Sequence, residues 1–254
     1  MLRILAIAYG AVAYLFFLAS FLYAIGFVGN LLVPKSIDSG AEGGFASSLL
    51  VNALLLGLFA LQHSVMARPG FKKQWTKLVP RPIERSTFVL ASSLVLILLY
   101  WQWRPMTGVI WQVTSPPAVF LLQALFAVGW AVVLLATIMI HHFDLFGLRQ
   151  VFLYARGEQY KELGFRTPGF YKYLRHPIML GFLIAFWATP RMSVGHLVFA
   201  AVTTAYILVA IQLEERDLLR FHGERYEAYR QQVPSLIPKG RFKGPMDEKA
   251  PSAS

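Results

Sequence analysis

The chain has 254 residues, of which 56% are hydrophobic and only 15% charged, and its formal net charge is +11. A soluble domain carries about 25% charged residues, so this composition excludes an ordinary globular protein and indicates an integral membrane protein. The absence of cysteine removes disulfides, iron–sulfur clusters, zinc thiolates and cysteine nucleophiles.

Four long stretches lack Asp, Glu, Lys and Arg: Ile4 to Val33, Gly43 to Ala67, Ser86 to Trp103 and Pro105 to Phe143. Each can supply the roughly 20 apolar residues that cross a hydrocarbon core. The first is too long for a cleaved signal peptide and lacks a convincing cleavage site. Pro116-Pro117 interrupts the fourth, so its spanning helix is expected from Ala118 to about Ile140. Residues 144–175 are mixed, with six Lys or Arg, several Gly and one Pro. Two further apolar pieces follow, Pro177 to Pro190 and Met192 to Leu213, separated by Arg191. They are expected to form a tilted helical hairpin. Glu214 to Val233 reads as an amphipathic helix, and residues 239–254 as a polar, disordered tail. The expected architecture is an all-α polytopic membrane protein of about six membrane segments. Residues 1–238 form one domain, with four N-terminal spans in 1–143 and the loop, hairpin and C-terminal helix in 144–238.

Sidedness follows from the basic residues. Six lie between Arg68 and Arg85, six between Arg149 and Arg175, and eight after Glu215, whereas the other connections hold Lys35, Arg104 and Arg191 singly. Six segments put both termini and both basic loops on the cytoplasmic side. The basic excess then meets anionic lipid, and nothing in the chain resembles a nucleic-acid-binding module. No convincing internal repeat suggests a transporter of the inverted-repeat kind.

Ionisable groups near hydrocarbon are costly and become functional candidates by default. His63 lies near the end of the second span, His141-His142 and Asp144 end the fourth, and Glu214-Glu215 follow the sixth. Singly, each could merely reach the interface. Topology, however, puts all three groups on one side. A metal site built from His63, His141, His142 and Asp144 lacks any ligand pair with i, i+4 spacing, so no metal is assigned. Axial haem ligation by histidines of different spans is a rival reading. The strongest local signal is Gly169-Phe170-Tyr171-Lys172-Tyr173-Leu174-Arg175-His176-Pro177, leading into Gly181. Pro177 suits the first turn of a helix, which leaves Arg175 and His176 just before an anion-attracting N-terminus. If the hairpin forms, Arg175-His176 and Glu214-Glu215 meet at its open end. Such a site suits a zwitterion carrying an additional positive charge.

Gly169…Tyr171…Arg175-His176-Pro177…Gly181 and Glu214-Glu215…Phe221…Gly223…Tyr226…Tyr229…Val233-Pro234 resemble the membrane methyltransferases related to isoprenylcysteine carboxyl methyltransferase and the phospholipid methyltransferases. Residues 61–69, 142–150 and 186–190 look more narrowly like the bacterial methanethiol S-methyltransferases, over nearly the whole chain. That resemblance implies methyl transfer from S-adenosylmethionine to methanethiol in a bacterial inner membrane, giving dimethyl sulfide. It implicates Tyr171, Arg175, His176, Glu214 and Glu215 in cofactor binding. Relatives often have Tyr where this chain has Met179, so the hydroxyl contact expected there is either lost or supplied elsewhere, with Tyr173 the candidate to supply it. A thiolate is the reactive nucleophile, so His63 or His142 is the expected base, with Asp144 orienting it. Phe143, Phe146, Gln150 and Trp187 are the expected walls of a small thiol pocket. The alternatives are a lipid or larger thiol as substrate, or a nonenzymatic sensor, transporter or haem carrier.

Overall fold

The computed structural model describes residues 1–238, and the expectation of a disordered tail at 239–254 lies outside the described residues. Among the described residues five helices are long and apolar enough to cross a membrane: α1 (Leu2–Gly29), α2 (Phe45–Ala67), α4 (Arg81–Gln102), α5 (Pro116–Met139) and α9 (Val194–Gln232). Between them lie α3 (Pro69–Trp75), α6 (His142–Leu145), α7 (Leu148–Arg156), a 3-10 turn (Gly169–Lys172) and α8 (Pro177–Trp187). The protein is an all-α polytopic membrane protein. Large apolar side chains such as Leu15, Leu22, Leu54, Phe120 and Val209 are exposed along these helices. A belt of that size would aggregate in water and is stable only against lipid.

α1 packs against α4 and α7, α2 against α4, and α5 most extensively against α8. The core is aromatic: Phe27, Tyr100, Trp103, Trp130, Phe186 and Phe199 form one buried cluster. Glycine makes the α5–α8 contact possible. A Cβ on Gly129 would lie 2.6 Å from the Ala185 nitrogen, and one on Gly181 would lie 2.7 Å from the Gly129 carbonyl oxygen. The two backbones therefore touch, as helices with small facing residues do in membranes.

The hairpin at the C-terminal end has unequal arms. The 11 residues of α8 rise only about 16 Å, whereas α9 from Val194 to Glu215 rises about 33 Å. An extended stretch makes up the difference, and within it β2 (Arg191–Ser193) pairs antiparallel with β1 (Val109–Gln112). Sequence periodicity gave no hint of this ribbon, because its two strands are short and distant in the chain. Ser193 caps α9 by accepting from the His196 N–H at 3.0 Å. The His196 ring then ties the arms together, with Nε2 2.9 Å from the Phe186 carbonyl oxygen.

No break occurs at Glu214, where a separate amphipathic helix was expected. Its residues continue α9, because Glu and Arg are good helix formers and no breaker intervenes. The interruption falls at Gly223, whose φ of 52° and ψ of −131° are open to glycine alone. Beyond it, Tyr226, Tyr229 and Val233 bury against Phe165, Leu218 and Leu219. The Tyr229 hydroxyl donates to the Tyr171 carbonyl at 2.6 Å, which fastens the end of α9 to the 3-10 turn.

Candidate active site

Pro177 is the first residue of α8 and His176 its N-cap, so the Arg-His pair stands at the mouth of the hairpin. There it meets the paired glutamates. Glu215 Oε1 accepts from Arg175 Nε at 2.8 Å and pairs with His176 Nε2 at 3.0 Å, and Arg175 Nη2 lies 2.8 Å away as an ion-pair partner. His176 Nδ1 faces Glu214 at 3.5 Å. The second Arg175 terminal nitrogen, Nη1, donates to the Arg230 carbonyl at 2.9 Å and also to that of Val233. The backbone N–H groups of Arg175 and His176 donate to the carbonyls of Pro234 and Ser235. One guanidinium thus joins the start of α8, the middle of α9 and the chain beyond α9.

Burial disfavours a charged imidazole at His176, but its contacts with Glu214 and Glu215 outweigh burial and push its pKa up to about 9. His176 is therefore a cation at neutral pH, a clamp on the glutamates and no acceptor for a substrate proton. The folded-state value lies above the ordinary 6.5, so the stabilisation is complete below about 6.5 and is lost as pH rises through about 9. We expect the thermal unfolding midpoint of the protein in detergent to fall between pH 7 and 10, and His176→Gln to flatten that fall. Parallel curves for the two proteins would contradict the clamp.

The cluster closes one side of a cavity of about 1070 Å³, lined by Tyr171, Arg175, Glu214, Tyr226 and Tyr229 on one flank and by Asp144, Gln150 and Tyr160 on the other. Lys72, Lys73, Arg81 and Arg85 approach it from α3 and the start of α4. Its charges are of both signs. Two buried polar atoms of lining residues, Gln150 Oε1 and the Tyr226 hydroxyl, have no hydrogen-bond partner among the described residues. Buried polar atoms left unpaired beside a cavity call for a partner that the described residues do not supply. A second cavity, about 950 Å³ and lined mainly by apolar groups, lies between α1, α5, α6 and α7. His141 and Asp144 line both.

The remaining sequence candidates are dispersed. Asp144 accepts from Arg149 at 2.9 Å, from Tyr160 at 3.2 Å and, at 3.4 Å, from Gln150. His142 lines the apolar cavity, but both ring nitrogens are engaged, Nε2 with Tyr14 at 2.8 Å and Nδ1 with Thr137 at 2.9 Å. His63 lines neither cavity. It bonds Tyr206 on α9 at 3.0 Å and stands between Phe59 and Phe88, bracing α2 against α9. Phe143 lines the apolar cavity, and Phe146 stacks on Phe17 beside His142. Trp187 is at the far end of α8, donating to Thr204, and lines neither space. Tyr173 is exposed and likewise lines neither cavity. Sequence reasoning overlooked Tyr14, Tyr160 and Arg166. Only Tyr160 and Arg166 carry a local hint, a polar residue in a loop between basic clusters. Among the described residues no group of three His, Asp or Glu could hold a metal ion.

No family model and no solved structure matches the chain. Curated relatives do. The methanethiol S-methyltransferase of Mycobacterium tuberculosis is 56% identical over 94% of this chain and 98% of its own length. That of Crocosphaera subtropica is 54% identical over 93% of this chain and 92% of its own. Methanethiol S-methyltransferase 2 of Bradyrhizobium diazoefficiens is 55% identical over 93% and 91%. Similarity at this level over nearly the whole length leaves one assignment, and the chain belongs to the methanethiol S-methyltransferase family.

Proposed function

We propose that the protein transfers a methyl group from S-adenosylmethionine to methanethiol, releasing dimethyl sulfide and S-adenosylhomocysteine. The observation that carries this reading is the near full-length similarity to enzymes of that name. The polar cavity supports it, because its residues suit a ligand with an ammonium, a sulfonium and a carboxylate. Glu214 offers a carboxylate, Arg175 and the basic groups of α3 and α4 offer cations, and Gln150 and Tyr226 offer unsatisfied polar atoms. When bound, S-adenosylmethionine supplies a methyl group already activated on a sulfonium. The protein's task is then alignment more than activation of the donor. Glu215 and His176 act behind Arg175 and Glu214, holding them in place. Asp144, tied to Arg149 and Tyr160, fixes the opposite wall. The basic loops and both termini face the cytoplasm of a bacterial inner membrane under the positive-inside rule.

Binding tests the site. Gln150→Leu and Tyr226→Phe each remove one of the orphaned atoms, and each should weaken S-adenosylhomocysteine binding by about five- to tenfold, the value of one hydrogen bond. Calorimetry on protein in nanodiscs reads this directly. Unchanged affinity in both variants would place the nucleoside elsewhere. The size of the apolar cavity favours a second reading, a larger thiol as substrate. A series of alkanethiols of increasing length distinguishes the two by the chain length at which kcat/KM peaks.

A further inference from the structure

We propose that His141, which lines both the apolar cavity and the polar one, takes the proton from the thiol; this rests on the methyltransferase reading above. Among the described residues His141 is the histidine that lines both spaces. His142 lines only the apolar cavity and His222 only the polar one. A thiol approaching through apolar surroundings and a donor held among polar groups need residues that face both spaces, and His141 and Asp144 are the two that line both. The Asp144 carboxylate is occupied by Arg149, Tyr160 and Gln150, which leaves it a wall rather than a free acceptor.

The backbone at His141 points the same way. Its φ of 78° and ψ of 73° place a non-glycine residue in the left-handed region, as the N-cap of α6. Such a conformation is strained for a residue with a side chain and persists where surrounding structure imposes it, often at functional sites. Here it turns the chain sharply between α5 and α6 and sets the ring at the edge of both cavities. Charged groups sharing those cavities are of both signs and come from several neighbouring elements, among them Asp144 and Arg149 from α6 and α7, Glu84, Arg85 and Lys72 from α4 and α3, and Glu162 and Arg166 from the loop before the 3-10 turn. Of these, Arg166 meets the ring, with Nη1 3.3 Å from His141 Nε2. A guanidinium can only donate, so Nε2 is an acceptor and the ring proton resides on Nδ1. The acceptor nitrogen of the ring thus has a cation beside it.

The step balances as follows. His141 Nε2, exchanging Arg166 for the substrate, accepts the S–H proton. The freed sulfur pair forms the new S–C bond while the C–S bond of the sulfonium breaks, its electrons remaining on the departing neutral thioether. The imidazolium then releases its proton to water in the polar cavity.

His141→Asn tests the assignment, because asparagine tolerates the left-handed backbone and lacks the base. With methanethiol at pH 7, kcat/KM should fall by about 100-fold or more, the usual contribution of a general base. The loss should shrink as pH rises towards the ionisation of the thiol. With methaneselenol, which is already ionised at neutral pH, the variant should stay within about threefold of wild type, since no proton remains to be removed. Affinity for S-adenosylhomocysteine, measured by calorimetry, should be unchanged. Equal losses on both nucleophiles, or no loss on either, would overturn His141 as the base. A wild-type protein that methylates neither nucleophile would overturn the underlying function and this proposal with it.

Discussion

Replacing Glu215 with alanine should abolish measurable S-adenosylhomocysteine binding and lower the thermal unfolding midpoint by several degrees. Glu215 Oε1 alone accepts from both the Arg175 guanidinium and the His176 ring. The side chains of Arg175 and Glu215 are 12% and 13% exposed and that of His176 is 4% exposed, so solvent replaces little of what is lost. Removing one partner from a buried ionic cluster costs about 3–5 kcal/mol, because the remaining charges stay behind uncompensated. Arg175 also holds the carbonyls of Arg230 and Val233, so the disturbance spreads to the end of α9 and to the cavity wall there. Glu215→Gln keeps an acceptor and should lose less. Calorimetry and thermal unfolding of both variants check this, and a wild-type midpoint for Glu215→Ala would show that the cluster is not what holds the hairpin mouth.

The second large effect should come from a single methyl group far from the charges. Gly129→Ala and Gly181→Ala each place a Cβ within 2.6–2.7 Å of backbone atoms on the facing helix, and backbone cannot rotate out of the way. α5 and α8 must separate, at about 1–3 kcal/mol for such overpacking. His176 caps α8 and Arg175 precedes it, so the separation reaches the ion cluster and methyl transfer should fall by at least about tenfold, the equivalent of 1.4 kcal/mol. The two substitutions strain the same contact, and one separation of the helices accommodates both, so the double variant should be less damaged than the sum of the single ones. Gly57→Ala is the control. A Cβ there meets nothing within 4 Å, and alanine is the better helix former. Equal stability of all three single variants, followed by thermal unfolding, would remove the glycine contact from the account.

Much of this was legible in the chain. Long uncharged runs located α1, α2, α4 and α5 to within a few residues, because lipid imposes composition directly on sequence. Pro177 marked the start of α8, and the expected encounter of Arg175-His176 with Glu214-Glu215 appears as a set of ion pairs. What escaped depends on partners that no local pattern reveals. His63 and His142 present the same signal as His141, a histidine at the end of an apolar run. Tyr206 and Tyr14, distant in sequence, engage the first two, whereas Arg166 meets the third. Trp187 lines neither cavity and donates to Thr204, a partner on another helix that no local pattern reveals. The continuity of α9 through Glu214 was hidden because charge marks the membrane boundary but does not end a helix.

The most direct test supplies purified protein in nanodiscs with methanethiol and S-adenosylmethionine carrying a trideuterated methyl group, and follows the headspace by mass spectrometry. The account predicts dimethyl sulfide that is three mass units heavier, formed one for one with S-adenosylhomocysteine and absent with Glu215→Ala. Unlabelled product, or no product from a protein that binds S-adenosylhomocysteine, would contradict methyl transfer to this thiol.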